Sequence, residues 1–333
     1  MALARTLQLL TTTITLVTVT TSAGAAPRKG GLLDGLNQPS WLKPATAPEP
    51  APAPPAYQAT FLGTPDDELL GKMCDQPIVK VELDKGTAIK FKVTLQNGVL
   101  AALRPQQLLE QANDRADIAA YWLSRALGLG IVPPACARTV NQTELMAAVT
   151  SPTWKTRMTK EVRWTPEGSV RASLAYRVPG VIDGALEASR KVWRPQLLQA
   201  TPLLAPHADL AEASRIMSWD FLTANWDRWS GDNTRRAGKA GPWVWVDNGA
   251  GFGKYAAKAR KANQARLLQV ERFSRSLVTA VRGPSDDDLK LILAPSGLDE
   301  RELTEFLARR HVFLTHVDQL IAKHGEADVL AFD

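Results

Sequence analysis

Two aspartates, Asp227 and Asp247, stand in segments whose residue types suit phosphoryl transfer. Such a transfer needs one carboxylate near the acceptor hydroxyl, where it takes or orients the proton, and another that holds a divalent metal bridging the phosphates. Asp227 follows an apolar, helix-like stretch, whereas Asp247 ends the apolar run 243–246 and precedes Asn-Gly-Ala-Gly. The alternative is that both only cap or form turns, where Asp is common. The presence of both segments in this order favours a site.

The elements that must position these residues begin with a strand-rich first half. Asn97-Gly98 lies between two alternating apolar runs, which is a strong signal for a hairpin. Apolar residues then recur at helical spacing, and a later alternating stretch turns at Pro-Glu-Gly. The pattern predicts strands over 78–83, 88–95 and 99–103, a helix over 108–129 and a second hairpin over 161–178.

The second half is predicted to be mostly helical. The pattern predicts helices over 210–224, 287–294 and 300–323, and a short buried strand over 243–246. We therefore expect an α+β, bilobal, protein-kinase-like fold with a strand-rich lobe over 58–180 and a helical lobe over 181–333. The order of the lobes alone is an analogy and does not establish a function.

The N-terminal residues resemble an export signal followed by a spacer. Residues 1–25 contain one early arginine, an uncharged stretch and a small-residue cleavage site, which is a signal-peptide pattern, although a disordered cytosolic tail is the alternative. Residues 26–57 are rich in proline and alanine and favour extended chain rather than a packed core. The folded domain is expected over 58–333, in a secreted or periplasmic protein.

Composition limits the classes of partner. The net charge of +6 suits an anionic ligand such as a nucleotide, and no basic run is dense enough to predict a nucleic-acid partner. Beyond the N-terminal stretch, no apolar run is long enough to predict a membrane span. Two cysteines and four histidines without ligand spacing predict no metal site of their own. Cys74 and Cys136 either pair in an oxidising compartment or stay buried and unpaired.

The two aspartate segments together resemble the four-jointed and Golgi casein kinase families of atypical secreted kinases, and more distantly HipA-like kinases. The resemblance covers roughly residues 85–330, including the helix-like stretch 114–128. It implies that Asp227 is the catalytic base and that Asp247 binds the metal. It places Asn225 and Arg228 in the catalytic set, where Arg228 orients the loop and Asn225 serves the site or forms a cap.

The resemblance also implies a cofactor-binding pair that departs from the family pattern. A lysine that grips the phosphates and a glutamate that pairs with it are replaced by Arg104 and Asp117. The combined reach of the pair can be preserved and an Arg–Asp pair can be bidentate, yet arginine and lysine are not equivalent. Lys90 or Lys92 would substitute if the strand register differs. A second metal ligand is implied at Asp232 or Asn233.

These residues predict a secreted ATP-dependent kinase that uses magnesium or manganese. Its acceptor would be a hydroxyl of a protein Ser/Thr or of a glycan. The alternative is a pseudokinase that binds nucleotide or a partner protein without transfer, because Arg104 and Asp117 depart from the pattern. The sequence leaves open the acceptor, the source of ATP for an exported enzyme and the oligomeric state.

Overall fold

The computed structural model describes residues 60–84, 86–200, 207–229, 233–253 and 257–332. The predicted signal peptide and the proline-rich spacer, and the predicted metal ligand Asp232, lie outside these residues. The predicted bounds of the two lobes stay predictions.

The first half is built around strands, as predicted. Its elements in chain order are β1 (Thr60–Phe61), β2 (Thr64–Pro65), α1 (Asp66–Gly71), β3 (Ile78–Leu83), β4 (Phe91–Leu95), β5 (Leu100–Pro105), α2 (Asp114–Ala126), β6 (Ala135–Asn141), α3 (Gln142–Ala147), α4 (Pro152–Glu161), β7 (Ser169–Tyr176) and β8 (Val181–Asp183).

Strands β3 to β7 form one antiparallel sheet in the order β3-β4-β5-β7-β6. The predicted hairpin joins β4 to β5 through a turn in which Gly98 has a φ of 83°, a conformation that glycine adopts without steric cost. Alternate residues of β4 are buried, among them Phe91, Val93 and Leu95. The sheet therefore has one apolar face, which packs against α3 and α4 residues such as Leu145 and Met158.

Two predictions for this half are wrong. Residues 161–178 do not form a hairpin, because β7 pairs with β5 and β6 and the preceding residues form α4. Only the tight turn survives, with the Thr165 amide donating to the Ser169 carbonyl at 2.7 Å. Helix α2 begins at Asp114 rather than at 108, because the Asn113 side chain caps it by accepting from the Arg115 amide at 3.0 Å.

The second half is mostly helical, as predicted. Its elements are α5 (Arg190–Leu197), α6 (Leu210–Leu222), β9 (Thr234–Ala237), β10 (Trp243–Trp245), α7 (Ala257–Leu267), α8 (Arg275–Arg282), α9 (Asp286–Leu293), α10 (Glu300–His324) and α11 (Glu326–Val329). Strands β8, β9 and β10 form a small antiparallel sheet. Helix α10 starts with a capping box between Asp299 and Glu302, which explains why its start was predictable.

Three apolar clusters hold the fold together. The largest joins α2 to the helices of the second half and buries Trp193, Trp219 and Trp245. A second lies on the five-stranded sheet, and a third packs Phe61 of β1 against Val178 and Val244. In the third cluster the N-terminal hairpin contacts both halves of the molecule, at the point where β7 gives way to β8.

The two cysteines form a disulfide with a Cα–Cα distance of 6.2 Å. It joins the segment after α1 to β6, which settles the alternative left open by the sequence. In the described residues, no helix combines the length and the apolar character needed to cross a bilayer.

Candidate active site

A cavity of about 620 Å³ lies between the five-stranded sheet and the small sheet of the second half. This volume is in the usual range for small-molecule and cofactor sites, about 300–1,000 Å³. Its charged and amide lining includes five candidate residues named from the sequence, namely Lys90, Arg104, Asp117, Asn233 and Asp247. Its apolar lining includes Ala102, Val132, Ala175 and Val246. Asp84, Arg177 and Arg235 line it as well, so the cavity combines apolar lining with charged groups, of which Lys90 and Arg104 cluster around Asp247 at what we call the charged end.

Asp247 lies at the charged end, two residues after β10 ends. Its backbone is in the left-handed region, with a φ of 54°, so the side chain leaves the strand direction. Its Oδ1 accepts from Arg104 Nη2 at 2.6 Å and its Oδ2 from Lys90 Nζ at 3.1 Å. Burial alone would raise the pKa of Asp247, but Arg104 and then Lys90 outweigh burial and hold this pKa well below its usual range. The carboxylate is thus ionised at any physiological pH.

Arg104 bridges two carboxylates. Its Nε donates to Asp117 Oδ2 at 2.9 Å while its Nη2 donates to Asp247. Burial lowers the pKa of Arg104, but the two carboxylates raise it above its ordinary value. The predicted pair with Asp117 is therefore formed, but the guanidinium is shared between two acids rather than bidentate to one. An arginine can do this because its donors point in fixed, separate directions.

Gly249 makes room for this arginine. A Cβ at position 249 would lie 2.3 Å from Arg104 Cζ and 2.6 Å from Nη1. The glycine of the Asp-Asn-Gly sequence is therefore required here by the close approach of the guanidinium, and no positive φ is involved.

Lys90 was predicted from the sequence only as a substitute for the lysine that Arg104 replaces. It precedes β4, and its ammonium reaches Asp247 across the cavity. Lys92, the other candidate, is 3.9 Å from Glu82 on β3 and does not line the cavity. Once the register of β4 is known, Lys90 is the one of the two that belongs to the site.

Asp227 lies in the loop after α6. This loop begins with Ala224 in the left-handed region, at a φ of 57°. The Asp227 amide donates to Asn225 Oδ1 at 3.2 Å, and its carbonyl accepts from Asn233 Nδ2 at 3.2 Å. Asn225 Nδ2 in turn donates to the Asp247 carbonyl at 3.4 Å. Asp227 is half-buried beside the cavity rather than part of its lining, and Asn225 ties its loop to the Asp247 segment.

Arg228 is fully buried beneath the cavity. Its Nε donates to Asp220 Oδ1 at 3.1 Å, and its Nη1 donates to the carbonyls of Val246 and Asn233. Burial raises the pKa of Asp220 to about 6, although Arg228 opposes this shift. Arg228 therefore orients the loop from below and does not face the cavity.

Two oxygen donors in the cavity suit a magnesium or manganese ion. These are the Asp247 carboxylate and the Asn233 amide, since Mg²⁺ takes one or two protein carboxylates and completes its shell with water and phosphate oxygens. Within the described ranges, no group of three or more His, Cys, Asp or Glu residues is placed to hold a metal ion. The donor set fits an ion that depends on phosphate ligands, and Asp232, outside the described residues, stays a predicted ligand.

Three site residues were missed by sequence reasoning: Ser173, Asn248 and Gly249. Ser173 Oγ donates to Asp117 Oδ2 at 3.3 Å, and the Asn248 amide donates to Asp117 Oδ1 at 3.1 Å. Asn248 and Gly249 belong to the Asn-Gly-Ala-Gly run that follows Asp247, so their position beside a candidate site residue was a signal. Ser173 lies in the middle of β7, and nothing in the sequence around it indicates a site residue.

Known proteins resemble this chain in sequence and in structure. No family model matches the chain. The chain is 26% identical over 304 aligned residues to the Homo sapiens protein named extracellular serine/threonine protein kinase FAM20C, covering 71% of this chain and 52% of the human protein. It thus spans about half the length of this curated relative. A Golgi casein kinase structure with Mn and ADP bound matches with a TM-score of 0.60 at 18% identity, covering 80% of this chain and 78% of that one.

A second solved structure, hydra Fam20 with sugar, matches with a TM-score of 0.57 at 16% identity and covers 77% of this chain and 89% of that one. The chain resembles the secreted atypical kinases of the Golgi casein kinase type, as predicted. The predicted α+β kinase-like fold is likewise confirmed.

Proposed function

We propose that this protein is a kinase-like phosphotransferase that moves the γ-phosphoryl group of ATP to a hydroxyl. The observation that carries the proposal is the arrangement around Asp247, where an ionised carboxylate lies between Arg104 and Lys90 at one end of a nucleotide-sized cavity. Kinase chemistry depends mainly on positioning and on charge stabilisation, and these groups supply both.

The nucleotide would lie along the cavity with its base on the apolar wall and its phosphates at the charged end. Lys90 and Arg104 are the cations that would face the phosphates, and Asp117 keeps Arg104 in place. The Mn and ADP bound to a solved Golgi casein kinase support a nucleotide with a divalent ion. Asp247, with Asn233 or Asp232, would hold this ion. When bound, a divalent ion neutralises charge on the phosphates.

Asp227 would act on the acceptor. The acceptor hydroxyl oxygen forms a bond to the γ-phosphorus, the bond from that phosphorus to the bridging oxygen of ADP breaks, and the hydroxyl proton passes to Asp227. ADP is the leaving group, so charge and atoms balance. Asn225 and Arg228 hold the loop, which is the role that their hydrogen bonds support.

The acceptor is a hydroxyl of a protein Ser/Thr or of a glycan. One relative is named a serine/threonine kinase and one solved neighbour carries a sugar, so both classes have support. We also propose that the protein is exported through residues 1–25. The Cys74–Cys136 disulfide and the extracellular relative support secretion, because disulfides persist in oxidising compartments. Neither supports a periplasmic location in particular.

The test is a transfer assay with the purified oxidised protein, γ-labelled ATP and manganese or magnesium. A mixed protein acceptor and a glycan acceptor are assayed in parallel. We expect transfer to one acceptor, its loss in Asp247→Ala, and a fall of about 10²–10⁴-fold in Asp227→Asn, the usual contribution of a general base. Lys92→Ala is the control, because Lys92 lies on β4, next to the site, but outside the cavity.

The replacement of lysine by Arg104 favours the pseudokinase as the second candidate. It predicts ADP binding without transfer to any acceptor and without ATP hydrolysis. That result, in a protein whose ADP affinity still falls in Asp247→Ala, would refute the transferase and leave the nucleotide site standing. The variant Arg104→Lys then tests whether the arginine itself prevents transfer. Transfer activity in this variant would show that the arginine is the cause of its absence in the wild type.

A further inference from the structure

Asn248 is the residue at which the nucleotide side of the site meets the loop that carries Asp227. Its main-chain amide donates to Asp117 Oδ1 at 3.1 Å, on α2. Its side-chain Oδ1 accepts from Arg228 Nη2 at 2.8 Å, and its Nδ2 donates to the Trp245 carbonyl at 3.0 Å. All the hydrogen-bonding atoms of the side chain are thus used, and the residue is 3% exposed.

The segment around Asn248 is held from both sides. On the α2 side, the amide of Asn113, the residue that caps α2, donates to the Gly249 carbonyl at 2.9 Å. On the other side, the Phe252 amide donates to the Thr223 carbonyl at 2.7 Å, just before the loop of Asp227. Asn248 provides a different kind of link, because its own backbone contacts Asp117 and its own side chain contacts Arg228.

We propose that Asn248 is a positioning residue that couples the Arg104–Asp117 pair to the Asp227 loop. A shift of Asp117 moves the Asn248 backbone, and the side chain transmits the shift to Arg228. Arg228 holds the carbonyl of Val246, next to Asp247, and that of Asn233, whose side chain donates to the Asp227 carbonyl. The orientation of Asp227 therefore depends on the state of the nucleotide-side ion pair. This inference rests on the proposed function for its consequence in catalysis, but the coupling itself does not.

The coupling is tested first without nucleotide, by hydrogen exchange of the amides of residues 223–228 in the full protein. Four proteins are compared: wild type, Asp117→Ala, Asn248→Ala and the double variant. If Asn248 transmits the state of Asp117, then Asp117→Ala raises the exchange rate of these amides at least about threefold in the wild-type background and leaves it unchanged in the Asn248→Ala background. An equal rise in both backgrounds, or no rise in either, overturns the proposal.

Asn263→Ala is the matched control for losing a buried asparagine. Asn263 is 8% exposed and donates to the Asp220 carbonyl at 2.9 Å, but it has no contact with Asp117 or Arg228 among its hydrogen bonds in the described residues. In its background, Asp117→Ala should still raise the exchange of the loop. Loss of the effect here as well would mean that general loosening, and not Asn248, governs the loop.

The second measurement separates kcat from nucleotide affinity. A positioning role predicts that Asn248→Ala lowers kcat at least about tenfold while the Kd for Mn-ADP changes less than about threefold, because misplacement of a catalytic group costs rate rather than binding. Equal losses in both would indicate a merely structural role and overturn the proposal. If the wild type transfers no phosphate, the proposed function fails while the exchange experiment still decides the coupling.

Discussion

The substitution Gly249→Ala tests whether Arg104 must lie where it does. The added Cβ would come within 2.3 Å of Arg104 Cζ and 2.7 Å of Nε, far inside van der Waals contact. The backbone at 249 is acceptable to alanine, since no positive φ is required there. The guanidinium must therefore move, and it cannot then keep both its 2.9 Å bond to Asp117 and its 2.6 Å bond to Asp247.

The expected cost follows from what the arginine loses. If Arg104 shifts but keeps one carboxylate, the cost is that of overpacking, about 1–3 kcal/mol of unfolding free energy. If both bonds break, a buried charge is left without its partner, which costs about 3–5 kcal/mol. Since Lys90 still pairs with Asp247, we expect a value near the overlap, about 3 kcal/mol.

Urea unfolding of four proteins measures this: wild type, Gly249→Ala, Arg104→Ala and the double variant. Removing Arg104 removes the clash, so Gly249→Ala should cost less than about 1 kcal/mol in the Arg104→Ala background. Gly253→Ala is the control, because its Cβ would come no closer than 3.4 Å to any neighbour. A loss of the same size with and without Arg104, or no loss at all, would refute the account of this contact.

Three further predictions concern the disulfide, Asp220 and Lys90. Replacing Cys74 and Cys136 by serine should cost about 4 kcal/mol of unfolding free energy relative to the oxidised wild type, the chain-entropy value for the 62-residue separation; urea unfolding measures it, and reduced wild type should match the variant. Burial raises the pKa of Asp220 to about 6, from 3.8 in the unfolded chain. Between these two pH values Asp220 is protonated in the folded protein and ionised in the unfolded chain. Stability should therefore fall as pH rises through this window, and Asp220→Asn should remove that slope; a slope that persists in the variant assigns it to another group. Lys90→Met should weaken Mn-ADP binding about tenfold, the effect of roughly 1.4 kcal/mol, whereas Lys92→Met should not; equal effects would exclude a specific role for Lys90.

Local signals in the sequence were enough for part of the fold. The hairpin at Asn97-Gly98, the helix over 210–222 and the long helix from Glu300 each carry their own turn, period or cap, so they need no partner to be recognised. The hairpin predicted over 161–178 failed because strand pairing is not local. The partners of β7 are β5 and β6, which lie far from it in sequence.

For the site, too, some features could be predicted from the sequence and others could not. Asp247, Arg104 and Asp117 were predicted from the resemblance to a kinase family, and their side chains lie in one cluster. The choice between Lys90 and Lys92 was open because residues two apart on a strand share a face, so only their position along the strand relative to Asp247 separates them. The sharing of one guanidinium between two acids could not be predicted, because it depends on how closely β5 approaches residue 249 in three dimensions.

The disulfide and the segment it holds also protect an exposed margin of the molecule. Strand β6 is the last strand of the five-stranded sheet, and its outer side is a template for pairing with another chain. Cys136 fastens residue 74 beside this strand, and Arg138 Nη1 donates to the carbonyl of Gln76 at 2.6 Å, so residues 74–76 lie along it. Reduction would release this cover, and we expect self-association of the reduced protein to begin at β6. We therefore expect protein made in a reducing cytosol to self-associate through this strand at lower concentration than protein made under oxidising conditions, as light scattering over a concentration series would show.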